Sequence, residues 1–233
     1  MKHLLIVFLL LSIQVYSQNL LPNSDFESKI DCPSALGEIE FAKGWISPNN
    51  GTPDYFNDCS SSFLFGTEFN KKGGQIPHSG HGYGGIMINN LHKNVQYEYL
   101  ETELTSPLQS GILYCIKMYV SLGNSDCAVK ELGAVISQTL IKSTDPGKFN
   151  LPFMQLVNDS PLTDSLSWVC VKGIYKAKGN EKFLTFGFFG NEEDFIRLRL
   201  NPKFDSSFYS AYYFIDDVTM EAITNSEDCK CQR

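Results

Sequence analysis

The segment Pro77-His78-Ser79-Gly80-His81-Gly82 sets two imidazoles beside a hydroxyl, residue types that serve serine hydrolysis or, with His92, metal binding. A serine nucleophile also needs a base poised across space and an oxyanion hole, usually on a strand-to-helix elbow. The chain contains no Gly-x-Ser-x-Gly. A glycine-rich stretch gives the histidines no fixed facing geometry, which weighs against a metal site. Asp54, Asp58, Glu101, Glu103, Glu192, Glu193 and Asp194 could supply the paired carboxylates of glycoside hydrolysis, a mechanism that turns on a separation no sequence measures. No Gly-x-Gly-x-x-Gly lies between a strand and a helix, and there is no phosphate loop. The expectation is a chain without catalytic residues, with a glycoside hydrolase or lyase as an alternative.

Cysteine carries the next chemistry. The chain has 7 of them, an odd number. Lys2 and His3 precede an apolar run from Leu4 to Ile13, too short to span a bilayer, and Val15-Tyr16-Ser17 resembles a cleavage site. Residues 1–17 are therefore read as a signal peptide, with 18–222 as one domain and 223–233 as a short cysteine-containing tail. Export implies disulfides, because an oxidising compartment lets them form and persist. Cys32 and Cys59 flank a loop-rich stretch with Trp45, Pro48, Gly51 and Pro53, and their pairing is favoured. Cys115 and Cys170 lie in strand-like runs and bridge only if those strands are neighbours. Cys127 has no evident partner. Cys229 and Cys231 could be a redox pair or a weak metal clip, and a tail pinned to the body or left unpaired is the better reading.

The elements that position these groups read as strands. Aromatic and β-branched residues recur in short runs bounded by Gly, Pro, Asn and Ser, and no long helical period appears. The clearest runs are 86–89, 95–104, 111–122, 168–177, 181–190 and 210–222. Their spacing points to an all-β sandwich. Residues 131–140 fit a short helix or a strand, and 191–207 read as a long loop and a secondary binding candidate.

Alternation assigns faces. Ile116, Met118 and Val120 belong to the core, leaving Lys117, Tyr119 and Ser121 on the other side. Leu100, Thr102 and Leu104 share one side of their strand, with Tyr97, Tyr99 and Glu101 opposite. Tyr97, Tyr99, Glu101 and Tyr119 thus form a candidate sugar face, since an aromatic ring stacks on a pyranose while polar neighbours bond its hydroxyls. The same tyrosines could instead pair across strands. The net charge of -7 and a pI near 5.1 weigh against nucleic acid or an anionic membrane as partner and suit a neutral ligand. They also suit an ordinary soluble surface.

Asn23-Ser24-Asp25-Phe26-Glu27 near the start and Ile215-Asp216-Asp217-Val218 near the end resemble the opening and closing strands of galactose-binding-like jelly-roll modules, among them several carbohydrate-binding module families. Gly44-Trp45, the segment 76–86 and Trp168 follow in the family's order. A closer resemblance is to the secreted domain found ahead of outer-membrane-protein-A-like domains in Gram-negative surface proteins. It rests on residues 51–59, 99–108, 119–122 and Leu132-Gly133. The chain stops soon after the final strand, so the peptidoglycan-binding half of that family is not carried over.

The resemblance implies a jelly-roll β-sandwich, secreted or at the cell surface, that binds carbohydrate. Protein partners for an adhesive surface protein are the alternative, and no membrane insertion is implied. It reads residues 78–82 as the turn before a strand. It also implies a structural calcium ion where the first and last strands meet, with Glu27 and Asp216 as foremost ligands and Asp217 and Asp25 as lesser ones. Calcium takes six to eight hard oxygens, which these residues and Asn23 carry. The alternative is that these acids lie at the surface or cap turns.

Overall fold

The computed structural model describes residues 18–91, 94–158, 160–198 and 209–231. Residues 1–17, read above as a signal peptide, and His92 lie outside them. In chain order the strands are β1 (Trp45–Ile46), β2 (Asp54–Asn57), β3 (Gly82–Leu91), β4 (Asn94–Tyr97), β5 (Tyr99–Glu103), β6 (Leu113–Leu122), β7 (Cys127–Val129), β8 (Leu132–Ser137), β9 (Met154–Leu156), β10 (Val169–Lys176), β11 (Phe183–Gly187), β12 (Phe195–Arg197) and β13 (Tyr209–Ile223). Two antiparallel sheets pack as a jelly-roll β-sandwich. One has the order β1-β5-β11-β8-β9. The other runs β10-β6-β13-β3-β2, with β4 also on β3, and β12 pairs with β7 apart from both.

The alternation along β6 is realised, with Ile116, Met118 and Val120 in the core. Ala211, Tyr213 and Ile215 of β13 point the same way. Opposite them Phe26 stacks on Trp45 at 4.8 Å, and Trp45 meets Phe186 edge-on at 5.6 Å. The first described segment lies along the last strand: Leu20 N–H donates to Met220 O and Val218 N–H to Ser24 O, each at 2.9 Å. Where β13 meets that segment its register shifts between Asp216 and Thr219, and Asp217 adopts a φ of 46°.

Two readings of the sequence need correction, and one left open is decided. Residues 95–104 are not one strand: they break at Glu98, β4 joining β3 in one sheet and β5 joining β1 and β11 in the other. Residues 131–140 hold strand β8, whose ladder is filled on both edges by β11 and β9. The described part of 191–207 contains a 3-10 turn, Glu192–Asp194, and strand β12, so the segment is not one long loop.

Cys32–Cys59 is bridged. Cys115 and Cys170 do lie on adjacent strands, yet they are not bonded to each other, because the register puts Cys115 opposite Ile174 and Cys170 opposite Tyr119. Each instead reaches the tail, as Cys115–Cys229 and Cys170–Cys231. The tail is therefore pinned to the body by two bonds. Cys127 is buried in β7, outside the three bridges.

Candidate functional site

The proposed tyrosine face is not a surface. Tyr99 and Glu101 have no exposed area and Tyr97 retains 6%. Residues from the segment 141–153, far away in sequence, cover them. Phe149 stacks on Tyr99 at 4.5 Å and donates its N–H to the Tyr99 hydroxyl, which in turn donates to Phe188 O at 2.9 Å. Glu101 Oε1 accepts bonds from Ile141 N–H and the Thr185 hydroxyl. Its Oε2 is buried without a partner, and burial holds the carboxyl above the usual range. These residues tie a covering segment to the sheet and are closed to a ligand. Tyr119 alone of the four reaches the surface, half-buried and stacked on His78 at 3.6 Å.

The acids implied by the calcium resemblance lie around one loop. Glu27 Oε1 accepts the N–H groups of His81 and Gly82 at 2.6 and 2.9 Å. Asp216 Oδ2 accepts those of His78 and Ser79 at 2.8 and 3.2 Å, and its Oδ1 accepts Asp217 N–H. Burial, and then the neighbouring Asp217, push the Asp216 carboxyl up to about 8. Gly80 is required where the loop passes Glu27. Its φ is +62°, and a Cβ there would collide with the Glu27 carboxyl. Asp25 Oδ1 accepts Glu27 N–H at 3.4 Å. An N–H presents the same positive polarity as a cation, so the loop backbone already faces oxygens that an ion would need. Among the described residues no three His, Cys, Asp or Glu side chains gather closely enough to hold a metal. Glu27, Asp216 and Asp217 thus grip residues 78–82 while Asp25 bonds Glu27, and the four side chains do not gather in one cluster.

The hydrolase geometry is also absent from this loop. Ser79 donates its hydroxyl to Asp217 Oδ1 at 2.8 Å, and His78 Nδ1 pairs with the same carboxylate. With serine and histidine both bonded to the acid, the imidazole does not activate the hydroxyl. The other acids are dispersed. Asp54 is buried against Tyr212 and Gly37 N–H, Asp58 is exposed and paired with His81, and Asp194 caps a turn near Lys130.

Sequence reasoning missed a cleft in the segment that joins β2 to β3. It has a volume of about 500 Å³, and Asp58, Ser62, Phe63, Glu68, Phe69 and Ile76 are among its lining. Phe63, Phe69 and Ile76 are 76%, 70% and 69% exposed. The segment is nevertheless firmly held. Cys32–Cys59 closes its root. The buried Tyr83 hydroxyl beneath it donates to Thr67 O and accepts from Asn70 Nδ2 and Gln75 N–H. Lys72 lies 4.9 Å over the ring of Tyr212. Phenylalanines in a Ser- and Gly-rich stretch, outside any strand alternation and hence without a core position, were the available signal.

No family model matches the chain, and no curated protein matches it in sequence. Solved structures align over most of its length. The CBM22-1 xylan-binding domain from Paenibacillus barcinonensis is 13% identical with a TM-score of 0.48, covering 87% of this chain and 94% of that one. TmCBM61, solved in complex with beta-1,4-galactotriose, is 12% identical at 0.42, covering 89% and 100%. The K2 cleaved adhesin domain of Lys-gingipain is 12% identical at 0.43, covering 90% and 99%. Likeness at this level does not transfer what those proteins bind.

Proposed function

We propose that this chain is an extracellular, non-catalytic module that binds neutral carbohydrate in the cleft of Phe63 and Phe69. The observation that carries the reading is the display of two exposed rings beside the carboxylates of Asp58 and Glu68 on a tightly held segment. A ring offers the apolar face of a pyranose a stacking surface, and carboxylates accept its hydroxyl protons. The same carboxylates, with a net charge of -7, oppose uronic or sulfated sugars. Three disulfides suit the oxidising conditions outside the cell. In this reading the backbone donors of residues 78–82 take the place of the calcium ion.

The test is a glycan array holding neutral and anionic members, probed with wild type and with the double variant Phe63→Ala/Phe69→Ala. Neutral glycans should bind wild type and not the variant, at an unchanged melting midpoint, because both rings are exposed. Tyr99→Phe should leave binding intact. A silent array, or binding that survives the double variant, rejects the reading. The same exposed rings, continued by Ile76, also favour an adhesive reading with a protein partner. Capture of a surface protein that neutral sugars do not compete away would support it.

A further inference from the structure

We infer that the glycan site extends past Ile76 to Trp168, so that the ligand is an extended oligosaccharide and not a single terminal sugar; this rests on the cleft reading above. Ile76 lines the cleft and is largely exposed, and its carbonyl accepts a 2.8 Å hydrogen bond from Trp168 Nε1. The indole, which directly precedes β10, therefore stands at the cleft's rim. It is only partly buried, yet its position is fixed. Besides that bond it meets His78 and Tyr83 edge to face, with ring centroids 6.1 and 5.8 Å away. His78 in turn stacks on Tyr119.

Phe63 and Phe69 offer stacking surfaces within the cleft itself. Another immobilised aromatic on the far side of Ile76 adds a surface that only a longer chain reaches. Pre-organisation makes that surface useful, since a side chain already locked by its neighbours loses little freedom when a ligand arrives. Trp168, just before β10 at the edge of the sheet opposite β2, bonds the β2–β3 segment at Ile76, which couples the added surface to the first.

Titration calorimetry with cello-, xylo- and galacto-oligosaccharides of one to six units tests this. For any series that binds, wild-type affinity should rise with chain length. Trp168→Ala should lower the affinity of the longest member about ten-fold, the scale of a lost aromatic contact, and leave the shortest binders unchanged. Trp168→Phe keeps a ring without the indole N–H and should fall between; it carries the test if the alanine variant fails to fold. Phe69→Ala should weaken every length. If the length dependence survives both Trp168 substitutions while Phe69→Ala still weakens every length, the extension is wrong and the cleft stands. If no series binds wild type, the cleft reading falls and the extension with it.

Discussion

Glu98 should make this protein lose stability as pH rises from weakly acidic to neutral. The residue occupies the joint between β4 and β5 and is 3% exposed. Met87 N–H donates to its Oε2, while Thr52 N–H, the Thr52 hydroxyl and Gln96 Nε2 donate to Oε1. These bonds favour the ionised form, but burial, and then the charge of Asp54, outweigh them and push the carboxyl from 4.5 up to about 7. Below the unfolded value both states hold the proton and the group contributes nothing. Between the two values the unfolded chain has released a proton that the native chain keeps, so stability falls with rising pH and then levels off above the folded value. At about 1.4 kcal/mol per pKa unit the loss is about 3 kcal/mol. Urea unfolding from pH 4 to 8, for wild type and for Glu98→Gln, measures it. The variant places an N–H2 where an acceptor is needed, an offset of roughly 1–3 kcal/mol at every pH. Asp54, Glu101 and Asp216 are also raised and shape both curves, so the difference between the curves isolates Glu98. Parallel curves would refute the argument that burial dominates at this joint.

Three further outcomes follow from the termini. Peptide mapping without reduction should recover Cys115 with Cys229 and Cys170 with Cys231, and a Cys115–Cys170 peptide would contradict the strand register. Replacing Cys115 and Cys229 by Ser removes a closure spanning 114 residues, worth about 4–5 kcal/mol on the chain-entropy account, and denaturant melts should show a loss of that order. With backbone N–H groups facing Glu27 and Asp216, thermal midpoints in calcium and in chelator should coincide. A rise in calcium that Glu27→Gln removes would restore the ion.

Where an inference needed only local pattern, the sequence was sufficient. Ile116, Met118 and Val120 declare a buried face because every second residue is apolar, and that holds whichever strand lies beside them. Tyr97, Tyr99 and Glu101 show the limit. Alternation put Tyr99 and Glu101 opposite Leu100 and Thr102, but whether an outward face meets water depends on what crosses it, here Ile141 and Phe149. The break at Glu98 was hidden for a related reason. Tyr97 and Tyr99 keep the period of two across it, while the chain changes sheets through bonds to Pro146, Met87 and Thr52 that are set by tertiary structure. The disulfides divide in the same way. Cys32–Cys59 closes a nearby loop, whereas the tail's pairings depend on a register that composition does not encode.

The segment 58–81 is the strongest argument that the surface above β2 and β3 has a purpose. The two strands are antiparallel neighbours, and a hairpin between them needs only a few residues. The chain uses a far longer connection. It secures that connection with a disulfide at one end, two carboxylates at the other, and a buried tyrosine hydroxyl beneath the middle. Ordering so many residues costs conformational entropy, and leaving Phe63 and Phe69 in water forgoes the hydrophobic gain that would offset it. Folding alone gives no reason for the arrangement: a shorter turn would leave the same sandwich core, and polar residues at 63 and 69 would be more soluble. A rigid, exposed aromatic display is intelligible if something else covers the rings, and the carboxylates beside them favour a ligand rich in hydroxyl groups.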